Sequence, residues 1–123
     1  MQELYDYFVN LIHQRIIDPL RLEFPFTKIF TIPTGWATVN LAQMKLDDLL
    51  EDEISMFGSS SNSIFTDQKG HQGEIVQETG ALVWLQSIYQ IDLSTHNYDT
   101  GFQTNLHQIA EEIANSHYPN YKQ

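Results

Sequence analysis

The 123-residue sequence predicts an α+β fold, in which one antiparallel sheet carries an N-terminal and a C-terminal helix on one face and extends into a long β-hairpin or arm. Apolar residues recur at helical spacing near both ends of the chain, and they alternate with polar residues in between. The hydrophobic content of 41% is enough for one core. We therefore expect a single domain over residues 1–123, with a flexible loop at residues 58–73 that is rich in Ser, Gly, Asn and Asp.

The first helix is predicted over residues 3–17, with one face buried. Its apolar positions are Leu4, Phe8, Leu11, Ile12 and Ile16. Pro19 is expected to end it, because the residue before a proline avoids helical backbone.

The second helix is predicted over residues 101–116, with Asp99 or Thr100 as its cap. Its apolar positions are Phe102, Leu106, Ile109, Ala110 and Ile113. These spacings place one stripe of each helix against the sheet.

The strands are predicted between the two helices. Residues 36–41 alternate after a proline–glycine turn, and residues 74–95 indicate a much longer strand with apolar residues on both faces. A strand of that length exceeds what one small core needs. Its excess is expected to project as an arm or to pair with another subunit.

Composition excludes several classes of protein. Six Lys and Arg residues stand against 16 Asp and Glu, a net charge of −10, so the surface repels nucleic acid. The chain has no cysteine, which excludes disulfides, thiolate catalysis and cysteine-ligated zinc. The apolar runs are too short to span a bilayer, and the N-terminal residues lack the basic region of a signal peptide. No membrane association is expected.

Two groups of polar residues are candidate sites. One is an acidic run, Asp47, Asp48, Glu51, Asp52 and Glu53, which is a solvated face, a Ca²⁺ or Mg²⁺ site, or a wall past which DNA slides. The other is His96 and His107 with Asp92, which could converge as a metal or acid–base site, although scattered surface residues are the plainer interpretation. Phosphate-binding, metalloprotease, EF-hand and hydrolase motifs are absent. No catalytic, cofactor or metal residue is predicted, and the protein is not expected to be an enzyme.

Residues 87–114 read SIYQIDLSTHNYDTGFQTNLHQIAEEIA, an aromatic-Q-I-D-L strand, a polar turn and an amphipathic helix. This segment resembles the tail-terminator or neck-terminator family of tailed bacteriophages. Members commonly continue into a further strand, which residues 117–123 do not show.

The resemblance implies a virion protein, made in the host cytoplasm, that forms a homo-oligomeric ring of about six copies at the head-proximal end of the tail tube. Such a ring stops tube polymerisation and joins the tail-tube protein to the head-side connector or adaptor. DNA would pass through it without being specifically bound, and the acidic run supplies the channel candidates.

Two alternatives remain open: another virion joining part, such as a connector or tail-tube subunit, and an unrelated small α+β binding module or enzyme that uses His96, His107 and Asp92. For the ring, the expected contacts with neighbouring subunits or partners come from the loop and the long strand. They are Ser60, Ile64, Phe65, Lys69, Trp84 and Ile88.

Overall fold

Helices rather than a sheet build the molecule, so the predicted α+β fold is wrong. The computed structural model describes all 123 residues, of which 54% are helical and 6% lie in strands. The only sheet is a pair of short parallel strands, not an antiparallel sheet with a long hairpin.

The chain begins with a helical arm, residues 2–23, made of α1 (Gln2–Ile12), a π-helical segment (His13–Ile17) and α2 (Asp18–Glu23). The other helices and strands follow in chain order. They are α3 (Gly35–Leu46), β1 (Ser55–Phe57), β2 (Ser63–Phe65), α4 (Glu74–Tyr89) and α5 (Leu106–Ser116). Two 3-10 turns complete the structure, Ser60–Asn62 and Pro119–Tyr121.

The first predicted helix is confirmed, but it continues beyond Pro19. Pro19 is the second residue of α2, and only Asp18 separates it from the π-helical segment. In a regular α-helix the proline ring would clash with the carbonyl four residues earlier. The wider turn of the π-helical segment relieves that conflict, because its hydrogen bonds run to the fifth preceding residue.

Helices α3 and α4 occupy the two segments that were predicted as strands, residues 36–41 and 74–95. Each helix buries residues on more than one side. Its apolar residues therefore do not recur only at the three- and four-residue steps that indicate a helix with one buried face. Gly80 permits the close approach of the two helices, since a Cβ atom there would lie 3.0 Å from the Thr34 hydroxyl.

The polar segment over residues 58–73 is structured. It holds the Ser60–Asn62 turn and β2, whose Ser63 and Phe65 pair with Ser55 and Phe57 of β1. Ile64 is completely buried, so the segment contributes to the core.

The C-terminal helix is confirmed but begins later than predicted. Its cap is Asn105, whose side chain accepts a hydrogen bond from the Gln108 backbone, rather than Asp99 or Thr100.

One core joins α3, α4, α5 and the strand pair, and none of its members belongs to the arm. Its buried residues are Ala37, Leu41, Ala42, Ile54, Ile64, Ile75, Val76, Leu82, Val83, Leu93, Leu106, Ala110 and Ile113. The arm is therefore an attachment to a body that is packed without it.

Candidate interaction surface

The arm presents an apolar face to solvent. We call this face the apolar stripe; it consists of Leu4, Tyr7, Phe8, Leu11, Ile12 and Ile16. Leu4 and Tyr7 are each 61% exposed and Phe8 is 50% exposed. The residues follow the i, i+3, i+4, i+7 spacing of a helix face that packs against another helix. Only Leu11 is partly covered by the rest of the chain, and the other five are exposed.

The opposite face of the arm docks on the body through specific contacts. The rings of Tyr5 and Trp36 meet edge to face with their centroids 4.8 Å apart. The Asn10 amide donates a 2.7 Å hydrogen bond to the Tyr118 hydroxyl, which in turn donates to the Asp6 carboxylate. This last bond raises the pKa of Tyr118, since the neutral phenol is the donor. The arm is thus held in one orientation, with the stripe outward.

Two buried histidines and a threonine form the centre of the arm–body junction. The Thr31 hydroxyl lies 2.9 Å from Nε2 of His13 and 2.8 Å from Nε2 of His117. The His13 ring also stacks on Tyr121, with the ring centroids 3.7 Å apart. Three separate parts of the chain therefore meet at this cluster: the arm, the connector to α3 and the residues that follow α5.

The junction favours neutral imidazoles. The Thr31 hydroxyl has one proton and can donate to only one of the two Nε2 atoms, so at least one of the two histidines must carry a proton on Nε2. The Nδ1 atoms of His13 and His117 are buried without a hydrogen-bond partner. Burial lowers the pKa of His13 and of His117, and in His117 the neighbouring His13 lowers it further.

A second exposed apolar group lies just beyond the arm. Leu22 is 84% exposed, and Phe26 is fully exposed on the turn that follows α2. Phe24 between them is also largely exposed. The apolar surface of the arm thus continues past its last helical residue.

The predicted contacts from residues 58–73 separate into two groups. Ser60 and Lys69 are exposed and free to meet a neighbour. Ile64 lies inside the core, and Phe65 packs against it with its ring 5.7 Å from that of Phe57.

The predicted contacts from residues 74–95 lie on a helix instead of a strand. Trp84 is 49% exposed on α4, and Ile88 is half-buried one turn later on the same side. Both remain candidates for an interface, now as part of a helix face.

The acidic run lies in the turn after α3 and the loop that leads to β1. Asp47, Asp48, Glu51 and Glu53 are exposed, and Lys45 lies 4.0 Å from Asp48. Asp52 is different, because its carboxylate accepts hydrogen bonds from the chain just before α5.

The Asp52 bonds come from the Gln103 amide (2.9 Å), the Thr104 amide (2.8 Å) and the Thr104 hydroxyl (2.6 Å). Burial raises the pKa of the Asp52 carboxyl, but the hydrogen bonds from Thr104 and Gln103 outweigh it and hold the pKa below its usual value. Asp52 therefore fastens the loop before β1 to the start of α5.

The structure brings His96 and His107 together but leaves Asp92 apart from them. Nδ1 of His96 lies 3.2 Å from Nε2 of His107. The Asp92 carboxylate instead accepts hydrogen bonds from the amide and hydroxyl of Ser94 in its own turn. No group of three or more His, Asp or Glu side chains is arranged to hold a metal ion.

No family model, curated protein or solved structure matches this chain. None of its helices combines the length and the apolar character that crossing a bilayer requires. The exposed apolar surface of the arm is therefore the feature that bears on function.

The sequence pattern identified most of the stripe but assigned it to the core. The signal of a second face was present, because Tyr5 and Val9 continue the apolar character around the helix. A helix that is apolar on two sides has one face for its own body and a second for something else. The His13–Thr31–His117 cluster had no sequence signal, since its members are far apart in the chain.

Proposed function

We propose that this protein is a non-enzymatic assembly subunit that associates with copies of itself through the apolar stripe of its N-terminal arm. One observation carries the proposal: a contiguous apolar helix face lies outside the core and is held facing solvent by the arm's docking contacts. Soluble monomers rarely expose such patches unless they bind a partner.

The rest of the surface supports a structural role. The exposed Leu22 and Phe26 extend the apolar area, and Trp84 offers an apolar group on a different helix. A closed homo-oligomer larger than a dimer needs more than one contact surface on each subunit. The chain offers at least two.

The more specific proposal is a joining part of a tailed-phage virion, with a tail or neck terminator as the case that the sequence resemblance implies. Its partners would be the tail-tube protein and the head-side connector. The resemblance rested on a strand in residues 89–93, and these residues form the end of α4 and a loop. The amphipathic helix of the resembling segment is present as α5, but its strand is absent. We therefore propose a connector-type joining part as an alternative to the terminator.

The mass of the purified protein, measured by native mass spectrometry and light scattering, tests the assembly proposal. The wild-type chain is expected to form dimers or larger closed particles. Phe8→Asp, which places a charge in the centre of the stripe, is expected to weaken association by at least tenfold, because a carboxylate cannot be buried there without a partner.

Leu49→Asp is the matched control, since Leu49 is at least as exposed as Phe8 but lies outside the arm. It should leave the mass unchanged. Circular dichroism should show both variants as helical as the wild type. A wild-type protein that stays monomeric at high micromolar concentration would refute the proposal. Electron microscopy of the particles then distinguishes a ring, as a virion joining part requires, from a compact dimer.

A further inference from the structure

We propose that the apolar stripe pairs with the stripe of a second copy in an antiparallel arrangement, with Glu3 of each chain reaching Arg15 of the other. This inference rests on the proposed self-association and specifies its geometry. The occupant of the stripe is thus a second copy of the same helix, related by a two-fold axis.

The stripe is self-complementary when two arms run in opposite directions. Centring the pair between Val9 and Asn10 sets Phe8 opposite the partner's Leu11, since both lie near the middle of the stripe. The ring of Phe8 then faces an aliphatic side chain, and the contact is repeated by the two-fold symmetry. Leu4 lies opposite the aliphatic stem of the partner's Arg15, which can cover apolar surface while its charged end reaches outward.

Charge selects the antiparallel direction over the parallel one. Glu3 lies at the beginning of the stripe and Arg15 towards its end, and neither has an ion-pair partner within its own chain. In a parallel pair each would meet its own copy, so like charges would face each other. In an antiparallel pair both meet the opposite charge, and the helix dipoles also oppose each other.

The Glu3–Arg15 pair cannot form within one arm. Twelve residues separate the two positions, which is roughly 18 Å along a helix. Any energetic coupling between them must therefore come from contact between copies. This makes the pair a test that a structural effect within one chain would not imitate.

Charge exchange tests the arrangement, with dissociation constants measured by analytical ultracentrifugation. Glu3→Arg and Arg15→Glu are each expected to weaken association about tenfold, because two symmetric ion pairs are lost and like charges approach. The double variant E3R/R15E should return to within about threefold of the wild type. Double-variant affinity no better than that of the single variants would overturn the proposal.

Lys28→Glu is the control for Arg15→Glu, since it makes the same change in charge outside the arm. Its dissociation constant should stay within about twofold of the wild-type value. The outcomes separate the two proposals. A monomeric wild type refutes self-association. An oligomer whose dissociation constant is unchanged by the Glu3 and Arg15 variants refutes only the antiparallel pairing.

Cysteine crosslinking gives a second measurement, because the natural chain contains no cysteine. Phe8→Cys mixed with Leu11→Cys should form a disulfide-linked dimer on mild oxidation, since these positions lie opposite each other near the middle of the stripe. Leu4→Cys alone should not, because its two copies would be roughly 16 Å apart. Efficient crosslinking of Leu4→Cys to itself would indicate parallel arms and overturn the proposal.

Discussion

At the scale of single residues, the arm–body junction depends on the protonation of two histidines. His13 and His117 share the hydroxyl of Thr31, and each Nδ1 is enclosed without a partner. Burial opposes a proton on either ring, and at His13 it outweighs the favourable charge of Asp18. The junction therefore favours neutral imidazoles and couples the position of the arm to pH.

The stability of the protein is expected to fall as the pH drops from about 7 to 5. An unfolded histidine binds its proton near pH 6.5, whereas burial lowers the pKa of His13 and His117 in the folded state. Below that value the unfolded chain binds more protons, so acid favours unfolding, by at most about 1.4 kcal/mol per pH unit for each imidazole. Urea unfolding at several pH values measures the slope.

The double variant H13Q/H117Q should show a flatter profile over the same range. Gln14→Asn is the control, since it changes an exposed side chain of the arm that carries no titrating group, and it should retain the wild-type slope. The lowered pKa of Asp52 affects a separate range, because its contribution is lost only as the pH falls below about 4. An equally steep slope in H13Q/H117Q would contradict the role assigned to the two histidines.

At the scale of elements, the sequence predicts helices well where one side faces solvent and poorly where several sides are buried. The arm and α5 keep clear apolar and polar faces, and both were predicted as helices. In α4 the β-branched residues and the apolar Val83 and Leu82 on adjacent positions favour a strand locally. Burial against α3 and α5 overrides that preference. The residues of α4 alone do not indicate which other helices will pack against it.

Asp52 provides a measurable contribution at this scale, because it joins the loop before β1 to the start of α5. Asp52→Ala is expected to lower the free energy of unfolding by about 1.5–3 kcal/mol, since two buried or half-buried donors of Thr104 lose a charged acceptor. Thermal or urea unfolding at neutral pH measures this change.

Glu51→Ala is the control for Asp52→Ala. Glu51 is exposed, and only its backbone amide bonds to Thr104. This variant should stay within about 0.5 kcal/mol of the wild type. An equal free energy of unfolding in the two alanine variants would show that Asp52, like the exposed acids around it, does not stabilise the fold.

At the scale of the whole molecule, local apolar patches oppose a general electrostatic repulsion. Each copy carries a net charge of −10, which keeps copies apart at a distance. The arm shares this repulsion, because its acidic residues outnumber its two basic ones, Arg15 and Arg21. Contact is thus favoured only where apolar side chains are exposed, as on the stripe, which limits the ways in which copies can associate.

Trp84 is expected to serve a second contact surface that joins arm-paired dimers into larger particles. Trp84→Asp should leave the fold intact, because half of the side chain is already exposed, and it should shift large particles towards dimers. Native mass spectrometry measures the distribution.

Tyr98→Asp is the control, as another exposed aromatic residue on a different segment. Ile64→Asp is expected to unfold the protein outright, since Ile64 is completely buried. Loss of folding in Trp84→Asp would show that Trp84 stabilises the body itself. An unchanged distribution of particle masses would show that Trp84 is not part of an interface.

The arm is synthesised well before its anchor is complete. Trp36 and Thr31 follow it closely in the chain, but His117, Tyr118 and Tyr121 come only after α5. At about 5–20 residues synthesised per second, a growing polypeptide carries an incompletely anchored arm for several seconds or more. Neighbouring nascent chains on one message would then meet through these arms, and pairing could begin before either body has folded.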